Sequence, residues 1–133
     1  MDGAAVASEP LLTESELALL NVLQIAVQDH YLIFAQVPLC SFVSLESAGK
    51  SRVQLLKHMA VKRVDFVLMH PGSRRVEHVV QIEEESPTSE VEERQRIIES
   101  IVVGAGIKLV KVRSKRPYTI PELASLLGLG VEE

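Results

Sequence analysis

A chain of 133 residues fits one domain of ordinary size, and 47% apolar residues allow it a core of its own, built mostly from Leu, Val and Ile because Trp is absent and Phe and Tyr are few. A net charge of −4 disfavours a surface that is basic overall, as a dedicated nucleic-acid binder often has. The single cysteine, Cys40, excludes an internal disulfide and a thiolate zinc cluster, and no apolar run approaches the ~20 residues that span a bilayer. The opening MDGAAVASEP has neither a basic n-region nor a long apolar stretch, so no signal peptide and a cytoplasmic location are expected.

Residues 1–10 read as a flexible tail and residues 11–133 as a single domain. Thr13 and Glu16 make a capping box, with Leu12 and Leu17 at the staple positions around it. Leu20, Leu23 and Val27 continue one apolar face, and the helix should stop near Asp29. YLIFAQVPL (31–39) reads as a strand with Pro38 marking an edge or a bend, and FVSL (42–45) as its prolongation after a break. ESAGK is expected to be a turn, SRVQLLKHMA (51–60) a short amphipathic helix.

Val64 to Glu85 then reads as two apolar strands joined at Pro71-Gly72, a pair that suits a type II turn with Gly72 at positive φ. A helix is expected from Ser89, capped by Ser89 and Glu92, with Val91, Ile98, Ile101, Val102 and Ala105 on one face and Gly104 and Gly106 at its end. IKLVKVR (107–113) is a strand, and Thr119, Pro121 and Glu122 open a last helix that Gly128 closes. A hairpin, a helix and a further strand allow a β-α-β crossover, so the expected fold is α/β: three α-β-α layers about a small mixed central sheet.

The charges are unevenly spread. Lys50, Arg52, Lys57, Lys62 and Arg63 form one basic stretch, and Lys111, Arg113, Lys115 and Arg116 a second, while acid concentrates between Glu83 and Glu99. Strand side chains alternate faces, so Gln81 and Glu83 share a face, and Asp65 points the same way from the neighbouring strand if the register allows. Paired carboxylates repel each other and are costly to desolvate, and a hard cation relieves both problems. Asp65 and Glu83 are therefore the candidate ligands for Mg²⁺, with the Gln81 carbonyl oxygen as a neutral third. Arg94 and Gln95 fall beside the apolar arc of the following helix and should face the same corner. The competing structural reading has the glutamates ending a strand in water and Asp65 paired with Lys62 or Arg63. His30, His58, His70 and His78 have no metal-ligand spacing, and Cys40 reads as an inert core residue.

The order Asp, hairpin, acid-x-acid, helix, strand resembles the PD-(D/E)XK nuclease superfamily, which includes restriction endonucleases, Holliday-junction resolvases and the very short patch repair endonuclease. Within it, a bacterial family of uncharacterised domains carries motifs similar to LLTESE (11–16), VDFVL (64–68), VQIEEESP (80–87), EERQR (92–96) and AGIKLV (105–110). The resemblance implies a restriction-endonuclease-like fold in which acids hold Mg²⁺ that activates water and stabilises phosphate charge. Carried over, Asp65 is the first acid, Gln81 stands where a glutamate belongs, and Glu83 stands at the lysine or second-acid position. Gln81 is thus neutral, Pro87 stands at a histidine position, and Gln95 replaces an aspartate, so the resemblance implies a degraded active site.

Two functions follow as expectations. One is a metal-dependent nuclease, weak or inactive, using Asp65 and Glu83, with Gln81 as auxiliary ligand and Lys111 as the catalytic lysine. Lys62, Arg63, Arg94, Arg113, Lys115 and Arg116 would then meet nucleic-acid phosphates. The other is a non-catalytic module that binds a protein partner or forms a homodimer through a sheet edge.

Overall fold

The computed structural model describes residues 3–46 and 50–129. The expected ESAGK turn lies mostly outside the described residues. Residues 3–10 are exposed and belong to no helix or strand.

Helix α1 (Glu14–Val27) starts at the expected box: Thr13 Oγ1 accepts from Glu16 N–H at 3.1 Å, and Glu16 Oε1 accepts from Thr13 N–H at 2.8 Å. Leu23, Ala26 and Val27 are buried, while Leu17, expected in a staple, is half exposed. Strand β1 (Leu32–Pro38) follows. The segment after it is not a second strand piece, because Leu39–Ser41 turns as a short 3-10 helix that buries Leu39 and leaves Cys40 exposed. Cys40 is therefore a surface thiol and no part of the core.

Helix α2 (Lys50–Val61) delivers the chain to β2 (Arg63–Met69), which pairs antiparallel with β3 (Val76–Glu83). The connection is not a type II turn at Pro71-Gly72. Arg74, at φ 63°, is its left-handed residue, and its N–H donates to the His70 carbonyl at 2.8 Å. The His70 ring explains the difference: Nδ1 accepts from the N–H groups of Gly72 and Ser73 at 3.0 and 3.2 Å, so the ring caps the turn. A Cβ at Gly72 would stand 3.0 Å from His70 Cε1, so a larger residue here would make the His70 ring shift by a few tenths of an ångström.

Helix α3 (Ser89–Gly104) is capped one residue earlier than expected. Thr88 Oγ1 accepts from Val91 N–H at 3.2 Å, and Val91 has no side-chain acceptor to return the bond. Gly106 at φ 79° ends the turn, and β4 (Lys108–Arg113) runs parallel to β3. Helix α4 (Ile120–Leu126) opens on the Thr119–Glu122 box and ends at Gly128, φ 73°.

The sheet order is β1-β2-β3-β4, with the β3-α3-β4 crossover supplying its parallel pair. Alternation divides the core between two faces. Phe66, Leu68, Val80 and Val112 pack with Leu23, Val27 and Leu123 of α1 and α4. Val67 and Val79 pack with Met59, Ile98 and Val102 of α2 and α3. Helices thus cover both faces of a small mixed sheet. Truncating a fully buried ring such as Phe66 to alanine should cost about 3–5 kcal/mol.

Candidate functional site

The β2–β3 ladder pairs Phe66 with Val80 and then stops. Beyond that pair, side chains take over. Gln81 Oε1 accepts from Asp65 N–H at 2.5 Å, and Asp65 Oδ2 accepts from Ile82 N–H at 2.7 Å. On the other side of Asp65, β1 leaves regular pairing at Gln36, whose φ is 56° and whose Nε2 donates to Glu16 Oε2 at 3.3 Å. β2 and β3 therefore part where the polar residues sit, while β1 resumes its pairing with β2 at Val37 and β3 stays paired with β4 as far as Glu83.

A cleft of about 920 Å³ lies at this end of the sheet. Asp65, Glu83, Lys111 and Arg94 all line it, and α1 contributes Thr13, Ser15 and Glu16 from its first turn. Gln81 lies beneath them, 2% exposed, and its Nε2 donates to Gln95 Oε1 at 3.0 Å. The expectation that Gln95 turns back toward the sheet is met by this bond. Arg94 is exposed, and its charge acts on Asp65.

Burial pushes the Asp65 carboxyl above its ordinary range. The Ile82 N–H and the Arg94 charge pull it back, while Glu16 and Glu84 push it further up. The partner is a backbone amide, and no ion pair joins Asp65 to Lys62 or Arg63 among the described residues.

Lys111 sits across from Gln81 in the β3–β4 register. Its Nζ lies 2.8 Å from Glu99 Oε1 and 3.7 Å from Glu83 Oε2. The hydrogen bond to Glu99, with the charges of both carboxylates, holds the ammonium above the usual lysine range. Sequence reading missed Glu99. Its signal was spacing: Gln95 and Glu99 stand four apart and so share a helix face.

The expected basic rim is divided. Lys62 Nζ lies 3.0 Å from His58 Nδ1, and Arg63 is paired in register with Pro38 at the β1 side; neither lines the cleft. Arg113, Lys115 and Arg116 line a smaller neighbouring cavity. The cleft itself holds six carboxylates (Glu16, Asp65, Glu83, Glu84, Glu92, Glu99) against Arg94, Arg96 and Lys111, so it attracts cations more than phosphates.

The donors make a thin set for a hard cation. Glu83 faces Lys111, the Gln81 carbonyl oxygen already accepts from Asp65 N–H, and no three of His, Cys, Asp and Glu gather as a metal site among the described residues. Tight metal binding does not fit this arrangement.

Among the described residues no helix is long and apolar enough to cross a membrane. No curated protein and no solved structure matches the chain. A family model does match, over residues 8–129 of the 133, and the chain belongs to the family it describes, "Protein of unknown function (DUF2726)".

Proposed function

We propose that this chain is a PD-(D/E)XK nuclease-like domain that contacts nucleic acid and has weak or no metal-dependent phosphodiesterase activity. One observation carries the reading. Asp65 from β2, Glu83 from β3 and Lys111 from β4 line one cleft at one end of the sheet, above the buried Gln81. Asp65 and Glu83 stand at positions the resemblance to the nuclease superfamily implies, with Gln81 in place of an acid, and Lys111 is our own candidate for the lysine, from outside its usual place.

In this reading the neutral Gln81 accounts for weak or absent turnover. An amide carries no charge, and the charge count of the ligands tunes affinity for a hard cation. Any Mg²⁺ taken up by Asp65 and Glu83 would compete with Lys111 for Glu83. Binding is therefore the assigned function, with phosphates held on the basic flank formed by Arg113, Lys115 and Arg116.

The test is fluorescence anisotropy with labelled single- and double-stranded DNA and RNA, followed by incubation with Mg²⁺ or Mn²⁺. Binding that weakens steeply with salt, and at most trace cleavage that Asp65→Ala removes, is the expected result. A chain that binds none of these at low salt would not be a nucleic-acid module. Cleavage that survives Asp65→Ala would put the chemistry elsewhere.

A second reading, a protein-interaction or dimerisation module, is favoured by β1. It is one of the two outer strands of the sheet, it carries no charged residue, and Leu32 and Phe34 are about half exposed. Such an edge can pair with another strand. Light scattering across the micromolar range decides the homodimer, since a strict monomer leaves none to explain.

A further inference from the structure

The smaller cavity beside the cleft has a volume of about 300 Å³ and lies between α1 and the segment that follows β4. Its walls are mainly aliphatic: Ala18, Leu19 and Val22 of α1, Ile82 of β3 and Val112 of β4. Its rim differs in kind, with Arg113, Lys115 and Arg116 within four residues and Tyr118 close behind. Cleft and groove share Ser15, Ile82 and Ser114, so they form one continuous surface with acid at one end and cations at the other.

The rim cations are engaged to different degrees. Arg116 is committed: it donates to Glu122 and lies over the Tyr118 ring, 4.2 Å from its centre. Lys115 reaches Glu85 only at 3.9 Å and its side chain is 78% exposed. The Arg113 side chain forms no ion pair among the described residues.

An apolar slot with available cations at its lip suits a ligand with a flat apolar body and an anionic tail. We propose, building on the nucleic-acid reading above, that the groove takes one unpaired base of a single strand, with the flanking phosphates against Arg113 and Lys115. A volume at the low end of the ~300–1,000 Å³ usual for ligand pockets admits one base and little more. A duplex keeps its bases stacked inside and cannot insert one without unpairing it. Acid in the cleft turns the backbone toward the cationic end, and the shared Ser15 and Ser114 hydroxyls offer hydrogen bonds to a base edge or sugar.

Anisotropy at constant low salt compares three labelled probes on the full chain: a single-stranded oligonucleotide, its abasic counterpart and the matching duplex. The intact single strand should bind about tenfold tighter than either of the others. Ala18 is exposed on α1, so Ala18→Trp should fold, which circular dichroism checks, and fill the slot. It should bring the intact strand down to abasic affinity and leave the abasic strand unchanged. Lys115→Glu should weaken both strands alike. Equal affinity for intact and abasic strands, a duplex that binds as tightly, or a base preference that survives Ala18→Trp overturns the groove while nucleic-acid contact stands. Absence of binding by all three probes overturns that contact and the groove with it.

Discussion

Asp65 and Gln81 clasp β2 to β3 with their side chains where the backbone ladder ends. The Gln81 amide oxygen accepts from the Asp65 N–H at 2.5 Å, and the Asp65 carboxylate accepts from the N–H of Ile82, the next residue, at 2.7 Å. A carboxylate that lines the cleft therefore also serves as a backbone acceptor. Its burial and its hydrogen bond act in opposite directions on the charge, and burial is the larger effect.

That balance separates two substitutions. Asp65→Asn keeps an acceptor for Ile82 N–H and removes a charge that burial disfavours, so the melting temperature at neutral pH should rise. Asp65→Ala orphans a part-buried N–H and should cost about 1–3 kcal/mol. The pH dependence has a definite sign. A carboxyl raised above its ordinary 3.8 binds protons more readily in the folded state, so its contribution falls as pH climbs from that value through the raised one. Melts of the wild type should show this loss across the weakly acidic range, and Asp65→Asn should flatten it.

Gln81→Glu tests whether a carboxylate at this position makes the corner a metal site. It would bury a second carboxylate beside Asp65 and replace the amide that donates to Gln95. Like charges in a buried site repel, so the variant should melt well below wild type at neutral pH without metal. Mn²⁺ or Mg²⁺ should restore much of that stability, and calorimetry should show an affinity at least about tenfold above wild type, since charge count sets hard-cation binding. A melting temperature indifferent to metal would argue that the corner never held an ion.

Lys111→Met removes the cation between Glu83 and Glu99. All three side chains are more than 40% exposed, so the loss should be modest, about 0.2–1 kcal/mol, and should shrink in high salt. Because the lysine is held above its ordinary 10.5, its contribution is complete below that value and disappears as pH rises through the raised one. Denaturant melts at two salt concentrations measure the first effect, and alkaline melts the second.

His78 should make the fold acid-sensitive. The residue is 4% exposed, both ring nitrogens are buried with the Leu127 backbone as their weak partner, and the ring packs edge-on to Tyr31 at 5.2 Å. Burial, and then Lys108, push its pKa below the ordinary 6.5, with Glu77 and the Leu127 backbone opposing. The unfolded chain therefore takes up a proton first, and stability falls as pH drops through 6.5 until the folded form titrates as well. His78→Phe keeps an aromatic ring against Tyr31 and should reduce that loss, a change that melts between neutral and mildly acidic pH can read.

What the sequence determined by itself was local. The Thr13–Glu16 and Thr119–Glu122 boxes, the order of helices and strands, and the alternation that sends Gln81 one way and Val80 the other all depend on residues within a few positions of each other. The corner was legible only in part: period-two alternation puts Gln81 and Glu83 on one face of their strand, and whether Asp65 joins them depends on the register. Other features needed the tertiary structure: the backbone amide that engages Asp65, Lys111 between Glu83 and Glu99, the His70 ring that moved the left-handed residue to Arg74, and the split of the basic residues between two sites. The physical reason is reach. Capping and periodicity are settled within a turn or a strand, whereas a side chain's partner depends on register and packing between segments far apart in the chain.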